Sequence, residues 1–149
     1  MDNLFESLYV NRELHAILFE PVCKKYGLTL TEVHMLLFLN DHEQYNTAKD
    51  IVSNLKIAKS YVSAAVRTLE ERGYIEGCYE GNNRRSVHLH LCENAKEIVK
   101  ESQQVKKDFL EVMIRGFSEE ELKNVKHYVD RMIKNTECYL EECSVNKNK

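Results

Sequence analysis

Along most of this chain apolar side chains recur every three or four residues, the period of helices that bury one face. Over residues 3–25 the positions are Leu4, Leu8, Leu14, Ile17, Leu18 and Val22. Pro21 falls inside that pattern, where its missing N–H either kinks the helix or marks its last turns. Gly27 follows at the place where a left-handed residue closes a helix. Thr29 opens the next helix, with Glu32 completing a Thr-x-x-Glu capping box. Val33, Leu36, Leu37 and Leu39 supply its buried face, and it ends near Asn40 and Asp41. After the polar run HEQYN, a short connection, Thr47 starts a third helix with Asp50 at its third position. Ala48, Ile51, Val52 and Leu55 form the apolar side. Lys56-Ile57-Ala58 reads as a turn, and a fourth helix begins at or beside Ser60 with Val62, Ala65, Val66 and Leu69 facing inward.

The period then changes. Gly73 ends the fourth helix, and residues 74–79 can pair with 86–91. In the second of these strands Val87, Leu89 and Leu91 point one way and Ser86, His88 and His90 the other. Glu80 to Arg85 form the tip, where Gly and Asn tolerate the positive φ of a tight turn. Helical spacing returns with Ala95, Ile98, Val99, Ser102, Val105, Phe109, Val112 and Met113. Ser118 and Glu121 make another capping box, with Phe117 and Leu122 as its hydrophobic staple. Val125, Tyr128, Val129, Met132, Ile133 and Leu140 continue that last helix, and the tail SVNKNK is expected to fray.

The predicted fold is therefore mainly α with a small β-hairpin wing (α+β), a winged helix-turn-helix with N- and C-terminal dimerisation helices. A single domain is expected over residues 1–149, with the winged part over about 29–92 and dimerisation helices over about 3–27 and 93–142. The terminal helices are more apolar than one small core requires, so a two-fold homodimer is their natural use.

Composition narrows the function. At 149 residues, 43% hydrophobic and 30% charged, the chain fits one globular domain. One proline and five glycines leave room for long helices. No apolar run approaches the roughly 20 residues that cross a bilayer, and the acidic, amphipathic N-terminus is unlike an export signal. A cytoplasmic protein with no membrane partner is expected. Cys23, Cys78, Cys92, Cys138 and Cys143 are scattered and never form a CxxC pair, so they read as reduced packing thiols. There is no Gly-rich phosphate loop, nucleophile elbow or framed carboxylate pair, so neither catalytic residues nor a cofactor are expected.

The net charge of −3 conceals an asymmetry. Residues 56–67 hold three basic side chains and no acid, and residues 82–91 hold two arginines and no acid, while Glu119, Glu120, Glu121, Glu137, Glu141 and Glu142 lie elsewhere. That resembles a DNA-facing surface on an acidic body. The outward face of the fourth helix would carry Lys59, Ser60, Tyr61, Ser63, Ala64, Arg67 and Thr68. Small residues allow close approach to a major groove, hydroxyls reach bases or phosphates, and arginine can pair bidentately with guanine. Arg84 and Arg85 at a hairpin tip suit a narrow minor groove. With Thr47, Lys56 and Asn83 these residues are the candidate contacts to double-stranded DNA. The rival is a winged-helix protein-interaction module that does not bind DNA.

The order of elements and several local strings resemble the MarR family of bacterial transcription regulators. The strings are Leu28-Thr29 at the second helix, LEERGYI over residues 69–75, and Arg85-Ser86-Val87-x-Leu89-x-Leu91 in the wing. The family wing usually reads Asp-x-Arg, five residues, then Leu-Thr; Asn83 and Cys92 stand at its Asp and Thr positions. Asn83 cannot make the ion pair that orients Arg85, and Cys92 is a poor helix cap. The resemblance implies a dimer that reads a palindromic operator with half-sites about one DNA turn apart.

It also implies a repressor released by a small phenolic or other ligand in a cleft between the DNA-binding and dimerisation parts. His15, Phe19, Met35, Phe38 and Tyr45 are the candidate effector contacts. A redox- or metal-responsive regulator of the same fold is the alternative. Metal control has His34, His42, His88, His90 and His127 to draw on but no metal-ligand spacing, so no metal site is expected. Redox control has Cys23, whose pKa Lys24 and Lys25 could lower, although redox-sensing relatives place their cysteine nearer the start of the first helix.

Overall fold

The computed structural model describes residues 2–79 and 86–146, and of Asp2 and residues 144–146 the backbone only. The elements are α1 (Asp2–Tyr26), α2 (Leu30–Asp41), α3 (Ala48–Leu55), α4 (Lys59–Glu71), β1 (Ile75–Cys78), β2 (His88–Leu91), α5 (Lys96–Ile114) and α6 (Glu119–Asn146). A 3₁₀ turn, Glu93–Ala95, precedes α5. This is the expected mainly helical fold with one small hairpin. Two compact units divide the chain, Met1–Phe109 and Leu110–Lys149.

Local chemistry sets most helix ends. The Thr29 side chain accepts from the Glu32 N–H while the Glu32 carboxylate accepts from the Thr29 N–H, and Thr47 and Asp50 repeat the arrangement at α3. Each box satisfies two backbone donors that a helix start leaves open. Pro21 lies inside α1, which runs on for another turn beyond it. At the end of α1, Gly27 adopts φ +60° and Leu28 N–H reaches back to the Cys23 carbonyl at 2.9 Å. At the end of α4, Gly73 adopts φ +69° and Tyr74 N–H reaches the Leu69 carbonyl at 2.9 Å. Both are six-to-one closures that only a residue without a Cβ enters without strain. Cys92 stands before the 3₁₀ turn and makes no side-chain cap, as its thiol chemistry leads one to expect.

The core of the first unit wraps around α2. Val33, Met35, Leu36, Leu37, Phe38 and Leu39 are all buried, so this helix is enclosed on nearly every side and shows no single apolar face. Phe19 and Val22 pack on it from α1, Ile51 from α3, Val62, Ala65 and Leu69 from α4, and Ile98 and Val99 from α5. Ala48, expected on the inner side of α3, is exposed, because the first turn of α3 stands clear of the core. The strands pair antiparallel with Ile75 opposite Leu91 and Gly77 opposite Leu89. Ile75 and Leu89 face the core, and Val87 lies outside the strand and is exposed.

One connection is more ordered than its polar composition suggests. Asn46 is buried, its carbonyl accepts from Leu89 N–H at 2.8 Å, and Thr47 bridges to His88. The Asn46 side-chain oxygen also lies 2.6 Å from His88 Nδ1. The run before α3 thus adds a short third rung beside β2.

In the second unit, α6 starts at the expected box: Ser118 N–H donates to the Glu121 carboxylate at 2.8 Å, and Glu121 N–H to Ser118 Oγ at 3.3 Å. Among its described side chains none is buried; Tyr128, Val129, Met132, Ile133 and Leu140 are exposed. No helix is long and apolar enough to cross a membrane among the described residues.

Candidate nucleic-acid interface

α3 and α4 meet through the turn at Lys56, the residue other than glycine with positive φ (+55°) among those described. That left-handed conformation swings the chain sharply between the two helices, at a cost of about 1 kcal/mol for a residue with a Cβ. α4 then turns Val62, Ala65 and Leu69 into the core and leaves Lys59, Ser60, Tyr61, Ser63, Ala64 and Arg67 exposed. Tyr61 stands 67% exposed, a large aromatic that the core does not use. Thr68 is half-buried and its hydroxyl donates back to the Ala64 carbonyl at 3.2 Å, so it belongs to the helix more than to its outer face.

Thr47 is occupied differently. Its hydroxyl donates to Asp50 Oδ2 at 2.6 Å and accepts from Asp50 N–H, so its chemistry is spent on starting α3. Arg67 pairs with Glu71 one turn on, Nε to Oε1 at 2.8 Å, with both side chains largely exposed. Such surface pairs contribute about 0–1 kcal/mol, so the guanidinium is readily exchanged to another acceptor. A crevice of about 300 Å³ lies between α3 and α4, lined by Ala48, Lys49, Val52, Lys59, Val62 and Ser63. Lys49 was not among the sequence candidates, though it sits two residues past Thr47 and adds a cation to the same surface. The wing-tip candidates Asn83, Arg84 and Arg85 lie outside the described residues.

A family model described as the MarR family matches residues 26–86, which run from the end of α1 into the hairpin. Over this region, about two fifths of its length, the chain is similar to the MarR family. The family is one of transcription regulators. A curated relative, the uncharacterized HTH-type transcriptional regulator YfiV of Bacillus subtilis (strain 168), is 28% identical over 74 residues. That match spans 50% of this chain and 46% of that protein, so the chain spans about half the length of this curated relative. Among solved structures, a MarR transcriptional regulator from Methanosarcina mazei Go1 superposes with a TM-score of 0.78 at 18% identity, covering 91% of this chain and 97% of that one. A MarR family regulator from Listeria monocytogenes, solved with a 26mer DNA, superposes at 0.77 and 19% identity, covering 89% and 87%. At those identities the likeness is one of fold.

The chain also holds a cavity of about 300 Å³ within its first unit, lined by residues of α1, α2, α3 and α5. Of the expected effector contacts, His15, Phe19 and Phe38 line it. Met35 is fully buried elsewhere in the core and Tyr45 is exposed, and neither lines it. His34, Leu37, Asp41, His42, Leu55 and Lys106 complete the wall. His15 stacks on Phe19 with ring centres 4.5 Å apart, and its Nε2 lies 3.3 Å from Nε2 of His34. Burial pushes the His34 pKa down to about 4, repulsion between its charged form and that of His15, and with Lys106, adds to the effect, and burial also lowers His15. The His34 ring is therefore neutral near pH 7. Burial works to raise the Asp41 pKa, but the hydrogen bond from Lys106 at 2.8 Å prevails and holds it below the ordinary carboxylate value.

Two further expectations meet the structure here. Among the described residues no three His, Cys, Asp or Glu side chains are grouped to hold a metal ion. Cys23 has its pKa raised by burial, with the Glu32 charge acting in the same direction, and not lowered by Lys24 and Lys25. The two lysines point their charge elsewhere, Lys24 to Glu20 and Lys25 to Glu101. That is a correction to the redox expectation for this thiol.

Proposed function

We propose that this chain is a cytoplasmic, dimeric, sequence-specific DNA-binding transcription regulator, and that it represses by occupying a palindromic operator. The observation that carries this reading is the outer face of α4. Six consecutive outward positions, Lys59, Ser60, Tyr61, Ser63, Ala64 and Arg67, are exposed with no acid among them, on a helix whose opposite face is locked into the core. Such a face suits a major groove, with lysines on phosphates and hydroxyls and arginine on base edges. Lys56 and Lys49 stand beside it for further phosphate contacts, Thr47 holds α3 in place, and Asn83, Arg84 and Arg85 serve a minor groove. The DNA-bound relative from Listeria monocytogenes supports the same use of the fold. No catalytic step belongs to this reading.

Dimerisation is assigned to residues 3–27 and 93–142. Leu4, Phe5, Leu8, Tyr9 and Val10 on α1, and the apolar residues of α6, are large and exposed, more than a soluble monomer usually leaves uncovered. The cavity at His15 and His34 is assigned to a small effector whose binding releases DNA; its volume lies at the lower end of small-molecule sites.

Selection of bound sequences from a random duplex pool, followed by salt titration of the winner, tests the reading. A palindromic consensus with half-sites about one turn apart is expected, with affinity falling steeply as salt rises. No enrichment, or affinity indifferent to salt, would favour the protein-interaction module in its place.

A further inference from the structure

The C-termini of α1 and α4 end in the same six-to-one closure, and each presents carbonyls with partial negative charge. One side chain spans the two. Arg72, the residue that caps α4, donates from Nη1 to the Gly27 carbonyl at 2.8 Å and from Nη2 to the Tyr26 carbonyl at 2.6 Å. Its guanidinium lies 5.0 Å from the centre of the Tyr74 ring. Among the described residues these are the hydrogen bonds that join α4 to the end of α1. α4 otherwise packs on α2, α3 and β1. Tyr26 in turn donates its hydroxyl to Glu101 of α5 at 2.9 Å, so the junction reaches a third helix.

We propose that Arg72 is a positioning residue that fixes the attitude of α4 to α1 and thereby sets the separation of the two reading helices in the dimer. The proposal rests on the dimeric DNA-binding reading above. α1 is a rod of 25 residues, about 37 Å long at 1.5 Å per residue. Its exposed apolar residues Leu4, Phe5, Leu8, Tyr9 and Val10 lie in the N-terminal half, Ile17 lies further along, and the Arg72 clamp holds the C-terminal end. The attitude of α4 to the dimer seam is therefore set by this clamp together with the packing of α1 and α4 on α2. Two carbonyls on successive residues match the planar fork of a guanidinium, whereas a lysine ammonium supplies charge without that directionality. Geometry and charge are thus separable by substitution.

The first test needs no DNA. A spin label on p-acetylphenylalanine at position 63 of α4 keeps the native cysteines, and pulsed EPR reads the distance between the two labels of the dimer. A narrow distribution is expected for the parent protein, and one of roughly doubled width for both Arg72→Gln and Arg72→Lys, with mass and helix content unchanged. A distribution equally narrow in Arg72→Gln, or a protein that is monomeric, overturns the proposal. Restoration of the narrow width by lysine would overturn the fork and leave only charge. The second test uses the selected duplex and a version lengthened by two base pairs, which turns the half-sites by about 70°. The parent should prefer the original by about tenfold and Arg72→Gln by no more than about threefold, with the salt slope unchanged. A parent that binds no duplex sinks the DNA reading, while the distance measurement still decides the clamp.

Discussion

His15 and His34 meet ring nitrogen to ring nitrogen at 3.3 Å in the cavity wall, a contact in which one must donate and the other accept. It exists only while at least one ring is neutral. With His34 held at about 4 against an ordinary 6.5, the unfolded chain takes up a proton between those values that the folded chain refuses. Stability is therefore full above about pH 6.5 and falls as the pH drops toward 4, by about 2 kcal/mol at pH 5 before solvent screening reduces it. Urea midpoints between pH 7.5 and 5 should show this fall, and His34→Gln should flatten most of it. An equal slope in the variant would mean that other groups carry the acid sensitivity.

Gly77 has no room for a side chain. A Cβ there would sit 2.8 Å from both a Glu70 carboxylate oxygen and Val87 Cγ1, between α4 and the far side of the hairpin. Gly77→Ala is expected to cost about 1–3 kcal/mol, since one of those neighbours must move. Thermal or urea unfolding checks it; a neutral result would show that the Glu70 side chain simply swings away.

Thr47 joins two structures at one residue, capping α3 and bridging to His88. Thr47→Ala should lose about 1 kcal/mol or more, while Thr47→Ser keeps the capping oxygen and most of the stability. Equal losses in both would move the cause from the hydroxyl to the methyl group.

Lys56 carries both a charge and a left-handed backbone, and asparagine separates the two. Lys56→Asn should leave the unfolding midpoint within about 0.5 kcal/mol of the parent while lowering the salt slope of DNA binding by about one unit. An unchanged slope would remove Lys56 from the interface and leave it a turn residue alone.

The helix starts at Thr29, Thr47 and Ser118 and the stops at Gly27 and Gly73 were legible in the sequence, because capping and closure are settled within three to six residues. The outer face of α4 was legible for the same reason, a short helix with clear inward positions at Val62, Ala65 and Leu69. What escaped depends on partners far along the chain. Asn46 looks like loop, and only its pairing with Leu89 makes it part of the sheet. Arg72 reads as an ordinary surface charge until its acceptors appear 45 and 46 positions away. In α2 the one-faced pattern of Val33, Leu36, Leu37 and Leu39 does not disclose that Met35 is core, and the family resemblance places Met35 and Phe38 together in a cleft. The helix is enclosed all round, and the cavity takes Phe38 together with His34, Asp41 and the distant Lys106. Cys23 misled through its neighbours in sequence, whose charges are drawn off by Glu20 and Glu101.

The rung formed by Asn46 and Thr47 leaves no loose joint between the start of α3 and the hairpin. The helix pair of α3 and α4 is thereby tied to β2 through two successive residues. A regulator built this way has little means of adjusting its grip within a half-site. Under the dimeric reading proposed above, adaptation to an operator would then fall largely to the spacing between two copies.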